Sequence, residues 1–370
     1  MRCSNLSSFI VMDIVRDAAR YDDAVHFEVG QPDLPPSPRV KEALKKAVDD
    51  NRFAYTESLG LYELREKIAK DYKARYSIDI EPNQIFLTPG TSGAFLIAYF
   101  LTLKNGAKLG LSDPSYPCYK NFAHVLDIEP VFMPIGKEDG FELHVKNLEG
   151  RELNALQISS PSNPIGNIYS KENLKKLIEY CDSKEIAFIS DELYHGLTYE
   201  KEANSALEFS QNTYVINGFS KFYCMPGNRL GWIVVPKHKL KEAEMVAQNI
   251  FICAPTISQY GALEAFDEEY QKWIKQKFKD RRDYLYKELS DIFEIEVKPE
   301  GAFYIWANIS RYSNNSFEFA RELLEKLHVA VTPGVDFGKN RTNEYIRFSY
   351  TRSIEHMSEG IKRLREYLLT

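Results

Sequence analysis

A lysine, an arginine and an aspartate that follow apolar runs are the residues of this sequence best suited to chemistry. Lys221 comes shortly after the apolar run 214–217, Arg229 lies eight residues further on, and Asp191 closes the run 187–190. A lysine becomes a covalent nucleophile once its pKa is lowered, and an arginine holds a phosphate through parallel N–H donors. Each also has an ordinary structural explanation, because a lysine is usually a solvated surface group and a lone carboxylate is usually an ion-pair partner or a helix cap.

Polar turns follow several predicted strands, and together they favour a ligand site over isolated helix caps. In open α/β sheets, ligands bind beyond the carboxyl ends of the strands. The backbone N–H groups of 90–93 suit a phosphate, with the hydroxyl groups of Thr91 and Ser92 as further donors, although such a turn alone is usually a cap. The turns are TPGTSGA (88–94), DPSYP (113–117), SSPSNPIG (159–166), SDELYH (190–195) and GFSK (218–221).

Short apolar runs alternate with helical segments between about residues 85 and 235. This alternation predicts an α/β domain with a largely parallel sheet. The four prolines of 32–38 exclude a regular helix in that segment. The predicted strands are 85–88, 108–111, 155–158, 187–190 and 214–217, and the predicted helices include 40–48, 61–76 and 172–184.

The pattern changes after about residue 270, which predicts a second, smaller α+β domain. One long charged helix, 268–293, leads into it, and two more helical stretches follow. Alternating runs predict strands at FEIEVKP (293–299), FYIWANI (303–309) and EYIRFSY (344–350). The predicted domains are a large one over 41–270 and a discontinuous small one from 1–40 and 271–370.

Composition narrows the class of protein. The chain has 370 residues, 44% hydrophobic and 27% charged, as in soluble globular proteins. Its net charge of -6 argues against a nucleic-acid-binding protein. No apolar run approaches the roughly 20 residues that span a bilayer. Asp13 and Asp17 interrupt the apolar N-terminal stretch, which argues against a secretory signal. Five dispersed cysteines without a CxxC pair predict reduced thiols, no metal site and a cytoplasmic location.

The segment around the lysine carries a recognisable pattern. In GFSKFYCMPGNRLG (218–231), a small, an apolar and a small residue precede the lysine, and the arginine eight positions later is followed by an apolar residue and glycine. This pattern resembles the lysine signature of the class I/II (fold-type-I) pyridoxal-phosphate-dependent aminotransferases, aspartate aminotransferase among them. Cys224 departs from it, because the family prefers a smaller or aliphatic residue there.

Further segments match the family, in the same order, over residues from about 26 to 352. The resemblance implies a three-layer α/β large domain with a mostly parallel sheet and a smaller α+β domain. Besides the turns at 88–94 and 190–195, these segments are YTESLGLYELR (55–65), DPSYPCY (113–119), SPSNPIG (160–166), PEGAFYIW (299–306), TPGVDFG (332–338) and YIRFSY (345–350).

The resemblance also implies which residues would contact the ring of bound pyridoxal 5'-phosphate. Lys221 would form the imine with it and move a proton between the α-carbon of the substrate and the cofactor. Asp191 would keep the pyridine nitrogen protonated, which makes the ring an electron sink. Asn163 and Tyr194 would hydrogen-bond the phenolic oxygen, and Tyr116 would stack on the ring face.

The same resemblance implies a phosphate site shared between two subunits. Thr91, Ser92, Gly218 and Arg229 would surround the phosphate group. Tyr55 would reach that group from a neighbouring subunit, so a homodimer with shared active sites is implied.

Arg347 is the implied partner of the substrate's α-carboxylate, in a bidentate pair. Asn163 and the backbone of Gly30 would help to hold the same carboxylate. Taken without the resemblance, an arginine in the run YIRFSY is better explained by an ordinary ion pair.

The function that the resemblance implies is transfer of an amino group between an L-amino acid and a 2-oxo acid in a ping-pong cycle. The alternative within the fold is a carbon–sulfur lyase, because the same residues serve carbanion formation whatever its fate. A cofactor-binding transcription regulator is a third possibility. It is disfavoured because only about 25 residues precede the matching region and the net charge is acidic.

The substrate is the least determined of these predictions. A second cation binding a distal carboxylate would indicate aspartate or glutamate, and Arg16, Arg20 and Lys104 are candidates for it. A pocket lined by aromatic residues would instead indicate aromatic or varied amino acids. The sequence favours aspartate only slightly.

Overall fold

A computed structural model describes residues 6–369 of the chain, and twelve α-helices and twelve β-strands lie in that part. The helices are α1 (Ile10–Ala18), α2 (Pro38–Asp49), α3 (Tyr62–Tyr76), α4 (Gly90–Thr102), α5 (Cys118–Val125), α6 (Val145–Leu148), α7 (Lys171–Ser183), α8 (Leu240–Phe251), α9 (Thr256–Ala262), α10 (Glu268–Ser290), α11 (Ser316–Leu327) and α12 (Ile354–Leu368). The strands are β1 (Val25–His26), β2 (Ile85–Pro89), β3 (Lys108–Asp113), β4 (Glu129–Pro134), β5 (Ala155–Ser159), β6 (Ala187–Asp191), β7 (Tyr214–Gly218), β8 (Leu230–Val234), β9 (Tyr304–Asn308), β10 (Val329–Ala330), β11 (Thr332–Pro333) and β12 (Tyr345–Ser349).

Seven strands form a central sheet in the order β2-β8-β7-β6-β5-β3-β4. Only β8 breaks the parallel arrangement, because it runs antiparallel to both of its neighbours, β7 and β2. Alternate residues of β2 belong to different hydrophobic clusters, with Ile85 and Leu87 in one and Phe86 in the other. Since side chains of a strand point to opposite faces, apolar cores cover both faces of this sheet. The predicted α/β fold with a mostly parallel sheet is confirmed.

Helix α2 begins where the sequence supplies a suitable capping residue. Ser37 precedes α2, and its hydroxyl group accepts a hydrogen bond from the backbone N–H of Val40 at 3.3 Å. Pro38 takes the first helical position, where its missing N–H group costs nothing. The proline-rich segment before it is not helical, as predicted.

Two smaller sheets lie outside the central one. β1 pairs with β10 in parallel, and β11, β12 and β9 form an antiparallel sheet. The strands of both smaller sheets fall within 1–40 and 271–370, while the central sheet falls within 41–270. The boundaries of the two domains stay a prediction.

One predicted strand is wrong. The alternating run 293–299 forms no regular strand in the described structure, and only Glu294 makes an isolated bridge, with Asn308. A strand requires a neighbour along its length, and this run finds one at a single position. Farther along it, Glu296 is held by its side chain, which accepts a hydrogen bond from the Tyr345 hydroxyl group at 2.9 Å.

Two further predictions concern membranes and thiols. Among residues 6–369, no helix is both long and apolar enough to cross a membrane. Cys118, Cys181, Cys224 and Cys253 are free thiols, and Cys3 lies outside the described residues.

Candidate active site

The polar turns predicted to carry a site meet at one edge of the central sheet. β2 ends at Pro89 beside Leu230, the first residue of β8, and β5 ends at Ser159 beside Asp191. A cavity of about 340 Å³ opens at this edge and is lined by residues from these turns, from α1 and from the segments around β1 and β12. The topology therefore assembles one site from distant parts of the chain.

Lys221 lines the cavity from the turn that follows β7. Its Nζ atom donates a hydrogen bond to the backbone oxygen of Gly30 at 2.7 Å. Burial, and after it the positive charges of Arg347 and Arg229, lower the pKa of this amine to about 8. About a tenth of such an amine is neutral and nucleophilic at pH 7, far more than for an ordinary lysine.

Asp191 is the last residue of β6 and is buried in the floor of the cavity. Its carboxylate accepts hydrogen bonds from the Tyr119 hydroxyl group and from the backbone N–H of Leu193, the latter at 3.1 Å. Burial raises the pKa of Asp191 to about 6 in spite of these donors. Such a carboxylate retains acceptor capacity for an N–H group of a ligand.

The start of α4 and Arg229 form the basic end of the cavity. The first N–H groups of a helix have no partner within it and carry a partial positive charge. A Cβ atom at Gly90, whose φ is +69°, would lie 2.4 Å from Nη2 of Arg229, so the glycine allows the guanidinium group to approach the helix. Thr91 and Ser92 line the cavity beside it. This combination suits a phosphate group.

Arg347 is a buried cation whose partners are neutral. Nη1 donates to Oδ1 of Asn163 at 2.8 Å, and Nη2 donates to the backbone oxygen of Glu28 at 2.6 Å and to the Thr332 hydroxyl group at 3.2 Å. Its Nε has no partner, and no carboxylate group of residues 6–369 lies within ion-pair distance. The simple ion pair that the local sequence favours is wrong, and the charge is available to an anionic ligand.

The residues predicted to contact a ligand ring lie around the same cavity. Asn163 uses its amide oxygen for Arg347, which leaves its N–H groups for a ligand, and the Asn163–Pro164 peptide bond is cis. The Tyr194 hydroxyl group lies 2.8 Å from that of Tyr304. Tyr116 lines the cavity as well.

Two predicted residues do not line this cavity. Gly218 lies in β7 under α4, where a Cβ atom would meet Cα of Gly231 and the methyl group of Thr91, each at 3.1 Å. It therefore permits close packing of the helix on the sheet. Its predicted phosphate contact stays a prediction, and Ser220 of the same turn lines the cavity. Tyr55 is 77% exposed on the surface, so its predicted contact with a neighbouring subunit is untested by a single chain.

Part of the lining was not predicted from the sequence. Tyr304 contacts Tyr194, and its ring lies 4.3 Å from the guanidinium carbon of Arg347. α1 was not predicted at all, although the buried Ile14 and Ala18 are spaced by four residues, as on one face of a helix. Its first turn lines the cavity.

None of the proposed second cations lines the cavity of this chain. The side chains of Arg16 and Arg20 are 67% and 71% exposed and pair with Asp13 and Asp17 of α1 itself. Lys104 follows α4 and lines a separate surface depression. Within one chain, these three cations give the slight preference for aspartate no support, and the preference stays a prediction.

Gly30 provides the first test of this geometry. We expect Gly30→Ala to lower kcat/KM about 100-fold, because misplacement of catalytic groups by about 1 Å has effects of that size. The new Cβ atom would lie 2.0 Å from the Tyr304 hydroxyl oxygen and would displace the backbone oxygen that binds Lys221. Steady-state kinetics measure the loss. Gly227→Ala is the control, because nothing lies within 4 Å of its Cβ position, and an equal loss in both variants would contradict the explanation.

Comparison with known proteins supplies independent information. The sequence matches the family model "Aminotransferase class I and II" over residues 22–364. The chain is 39% identical to the (5-formylfuran-3-yl)methyl phosphate transaminase of Methanocaldococcus jannaschii, with 99% of this chain and 98% of that protein aligned. It is 33% identical to the valine–pyruvate aminotransferase of Mycobacterium tuberculosis, over 97% of this chain and 96% of that one.

Solved structures agree with these sequence matches. A crystal structure of an aminotransferase from Mycobacterium tuberculosis superposes with a TM-score of 0.96 at 33% identity, covering 100% of this chain and 98% of that chain. The aspartate aminotransferase of Thermotoga maritima gives a TM-score of 0.94 at 29% identity, covering 100% and 99%.

Proposed function

Because this chain belongs to the class I and II aminotransferases, we propose that it uses pyridoxal 5'-phosphate to move an amino group between an L-amino acid and a 2-oxo acid in a ping-pong cycle. The observation that carries the proposal is the charge arrangement of the cavity. Lys221, Arg229 and Arg347 line it without an ion-pair partner among residues 6–369, and Asp191 lies in its floor. Three cations without ion-pair partners fit an aldehyde cofactor with a phosphate group and a substrate carboxylate.

The proposed roles are those that the family resemblance implies, and each residue lies where its role requires. When bound, pyridoxal phosphate supplies a carbonyl carbon and an electron-accepting ring. Lys221 would hold that carbon and would move the proton at the α-carbon of the substrate. Asp191 would hold a proton on the ring nitrogen. Asn163 and Tyr194 would donate to the phenolic oxygen, and Tyr116 would pack on the ring face.

The anionic groups are held at separate places in the cavity. Thr91, Ser92 and Arg229 hold the phosphate at the start of α4. Arg347 holds the α-carboxylate of the amino acid, and its bond to Asn163 fixes the orientation of both side chains.

The proposal includes a homodimer in the cytoplasm. Phe53, Tyr55 and Ile252 are large apolar or aromatic side chains that are 63%, 77% and 51% exposed. A second subunit would cover them, and Tyr55 would then reach the phosphate bound by that subunit. Light scattering on the purified protein tests for twice the mass of one chain.

Single-turnover chemistry tests the proposed reaction. The yellow holoenzyme is mixed with an amino acid in the absence of any 2-oxo acid, and the products are quantified. One equivalent each of pyridoxamine phosphate and 2-oxo acid supports transfer. Catalytic formation of pyruvate and sulfide from cysteine would instead identify a carbon–sulfur lyase and overturn the proposal.

The lowered pKa of Lys221 makes a prediction about pH. Only the neutral amine attacks an aldehyde, so we expect the rate of cofactor capture by the apoprotein to rise with pH and to level off above about pH 8. Stopped-flow absorbance after mixing with pyridoxal phosphate measures this rate. A midpoint above pH 10, the ordinary range of lysine, would contradict the burial of the amine.

A further inference from the structure

Two turns that line the cavity from different sheets are bonded to each other. One turn follows β3 and contributes Tyr116 to the lining, and the other lies between β11 and β12 and contributes Asp336 and Phe337. The backbone N–H of Ser115 donates a hydrogen bond to the backbone oxygen of Phe337 at 2.9 Å. Because β3 belongs to the central sheet and β11 and β12 to the three-stranded sheet, a contact between these turns also joins the two sheets.

The carboxylate of Asp113, the last residue of β3, makes the strongest part of this junction. Asp113 is 6% exposed and is not part of the cavity lining. Its Oδ1 and Oδ2 atoms accept hydrogen bonds from the backbone N–H of Lys339 at 3.0 and 3.1 Å, and Oδ2 accepts another from the backbone N–H of Asn340 at 3.2 Å. The side-chain amide of Asn340 donates in return to the backbone oxygen of Asp113 at 3.4 Å. Hydrogen bonds to an ionised carboxylate are stronger than those between neutral groups.

The second turn is shaped to receive this carboxylate. A Cβ atom at Gly338 would lie 1.8 Å from Oδ1 of Asp113 and 3.4 Å from Cα of Pro114, so a glycine is needed for the backbone to come this close. We call Asp113 together with the backbone of 338–340 the Asp113 clasp. The proposed contacts to cofactor and substrate include none of its residues, so the proposed function leaves the clasp unexplained.

The Asp113 clasp bears on a gap that the substrate must span. Asp191 and Lys221, with their proposed roles toward the cofactor, lie in or directly after strands of the central sheet, whereas Arg347 lies in β12 of the other sheet. An amino acid that reaches the cofactor with its amino end and Arg347 with its α-carboxylate therefore bridges the two sheets. Since displacements of about 1 Å have large effects in active sites, the contacts that set this gap influence binding.

Phe337 connects the clasp to Arg347. It directly precedes Gly338, and its ring centroid lies 4.8 Å from the guanidinium carbon of Arg347. The same ring meets the ring of Trp306 edge to face, at 5.6 Å between centroids, and Trp306 is the partner of Arg347 in the pairing of β9 with β12. Phe337 and Arg347 are both buried. Because protein interiors are close-packed, a shift of the turn would move this ring against the guanidinium group.

We propose that Asp113 is a positioning residue of this enzyme, because the Asp113 clasp holds Phe337 and Arg347 at a fixed distance from the cofactor side of the cavity. The clasp thereby sets the affinity for the substrate α-carboxylate from a position outside the cavity lining. This inference rests on the proposed aminotransferase function and adds to it a residue that acts through Arg347.

Asp113→Asn is the primary test, because an amide presents one acceptor oxygen where the clasp uses two. Half-reactions of the holoenzyme are followed by absorbance with the common L-amino acid that reacts fastest with the unaltered protein. We expect the amino-acid concentration for half-saturation to rise about 10-fold, the size of one lost hydrogen bond to a charged group, and the limiting rate to change far less. Absorbance titration should show an unchanged affinity for pyridoxal phosphate.

Gly338→Ala and Asp139→Asn are the companion variants. Gly338→Ala disturbs the clasp from the other turn and keeps the charge of Asp113, so we expect the same rise, and it provides the test should Asp113→Asn fail to fold. Asp139→Asn is the matched control, because the side chain of Asp139 is 10% exposed, pairs with Lys146 at 2.6 Å and lies outside the cavity lining. A half-saturation concentration that stays unaltered in all three variants would overturn the inference and leave the proposed function intact. A holoenzyme that reacts with no amino acid would overturn both.

A double-mutant cycle with Arg347→Lys separates positioning from a general loss of structure. Lysine keeps the positive charge on a flexible stem and lacks the planar fork of donors, so its contact with a carboxylate depends little on the gap between the sheets. In the Arg347→Lys background, Asp113→Asn should therefore change the half-saturation concentration less than about 2-fold, within the scatter of independent effects. A further rise as large as in the unaltered background would show that Asp113 does not act through Arg347 and would overturn its positioning role.

Discussion

Replacing Lys221 with alanine should lower kcat by about 10⁴-fold, the upper range of the contribution of a positioned acid–base group. The cavity lining contains no other lysine among the described residues, so the variant lacks both the amine that binds the cofactor carbon and the base that moves the proton at the substrate α-carbon. Borohydride treatment should fix the cofactor to the unaltered protein and not to the variant. Intact-mass spectrometry of the two reduced proteins measures the adduct.

Lys221→Arg separates the charge of this residue from its chemistry. Arginine keeps the positive charge but cannot release a proton in proteins, so we expect it to restore no more than a few per cent of the activity. Absorbance titration checks that each variant still binds the cofactor through Thr91, Ser92 and Arg229. A Lys221→Ala protein that still forms the covalent adduct would show that a different residue is the nucleophile.

The position of Lys221 was predictable because the residues that identify it lie close together in the sequence. Lys221 follows a buried strand, and Arg229 returns to the same edge of the sheet because β8 runs antiparallel to β7. A single stretch of sequence therefore carries both residues and the turn between them. The strands at 85–88, 108–111, 155–158, 187–190 and 214–217 were predictable for a similar reason, since each is a short, mostly apolar run and becomes largely buried on both faces.

α1 carries conflicting signals in its own residues. Ile14 and Ala18 have helical spacing, but isoleucine and valine at 10, 11, 14 and 15 are β-branched and lower the helix propensity. The hydrogen bonds that stabilise its first turn come from Asp336, which is 326 residues beyond Ile10 in the chain. A short window of sequence does not contain that second fact.

Packing accounts for a glycine at position 218, because α4 and β8 approach it closely. Its place in the motif next to Lys221 predicts a phosphate contact, which stays a prediction. A glycine that contacts a ligand and a glycine that admits a neighbouring helix look the same in a sequence. The positions of Thr91 and Gly231 show that Gly218 admits a helix and a strand.

The second large effect is expected at Asp191. Asp191→Asn should lower kcat by about 10³-fold, comparable to the loss of a preorganised electrostatic group in other active sites. The carboxylate at the end of β6 supplies the negative charge that keeps a proton on the ring nitrogen, and an amide of the same size does not. Single-turnover rates with the preferred amino acid measure the effect. We expect the substrate KM to change far less, because Arg347 still binds the α-carboxylate.

Tyr119→Phe is the matched control for Asp191→Asn. It removes one hydrogen-bond donor from the carboxylate and keeps its charge, so its loss should be about 10-fold, the size of a single hydrogen bond to a charged group. Because that donor lowers the pKa of Asp191, the Tyr119→Phe variant should also need a higher pH to reach its full rate, whereas Asp191→Asn should lose this pH dependence. Equal losses in the two variants would mean that the geometry of the pair matters and its charge does not, and the proposed role of Asp191 would then be wrong.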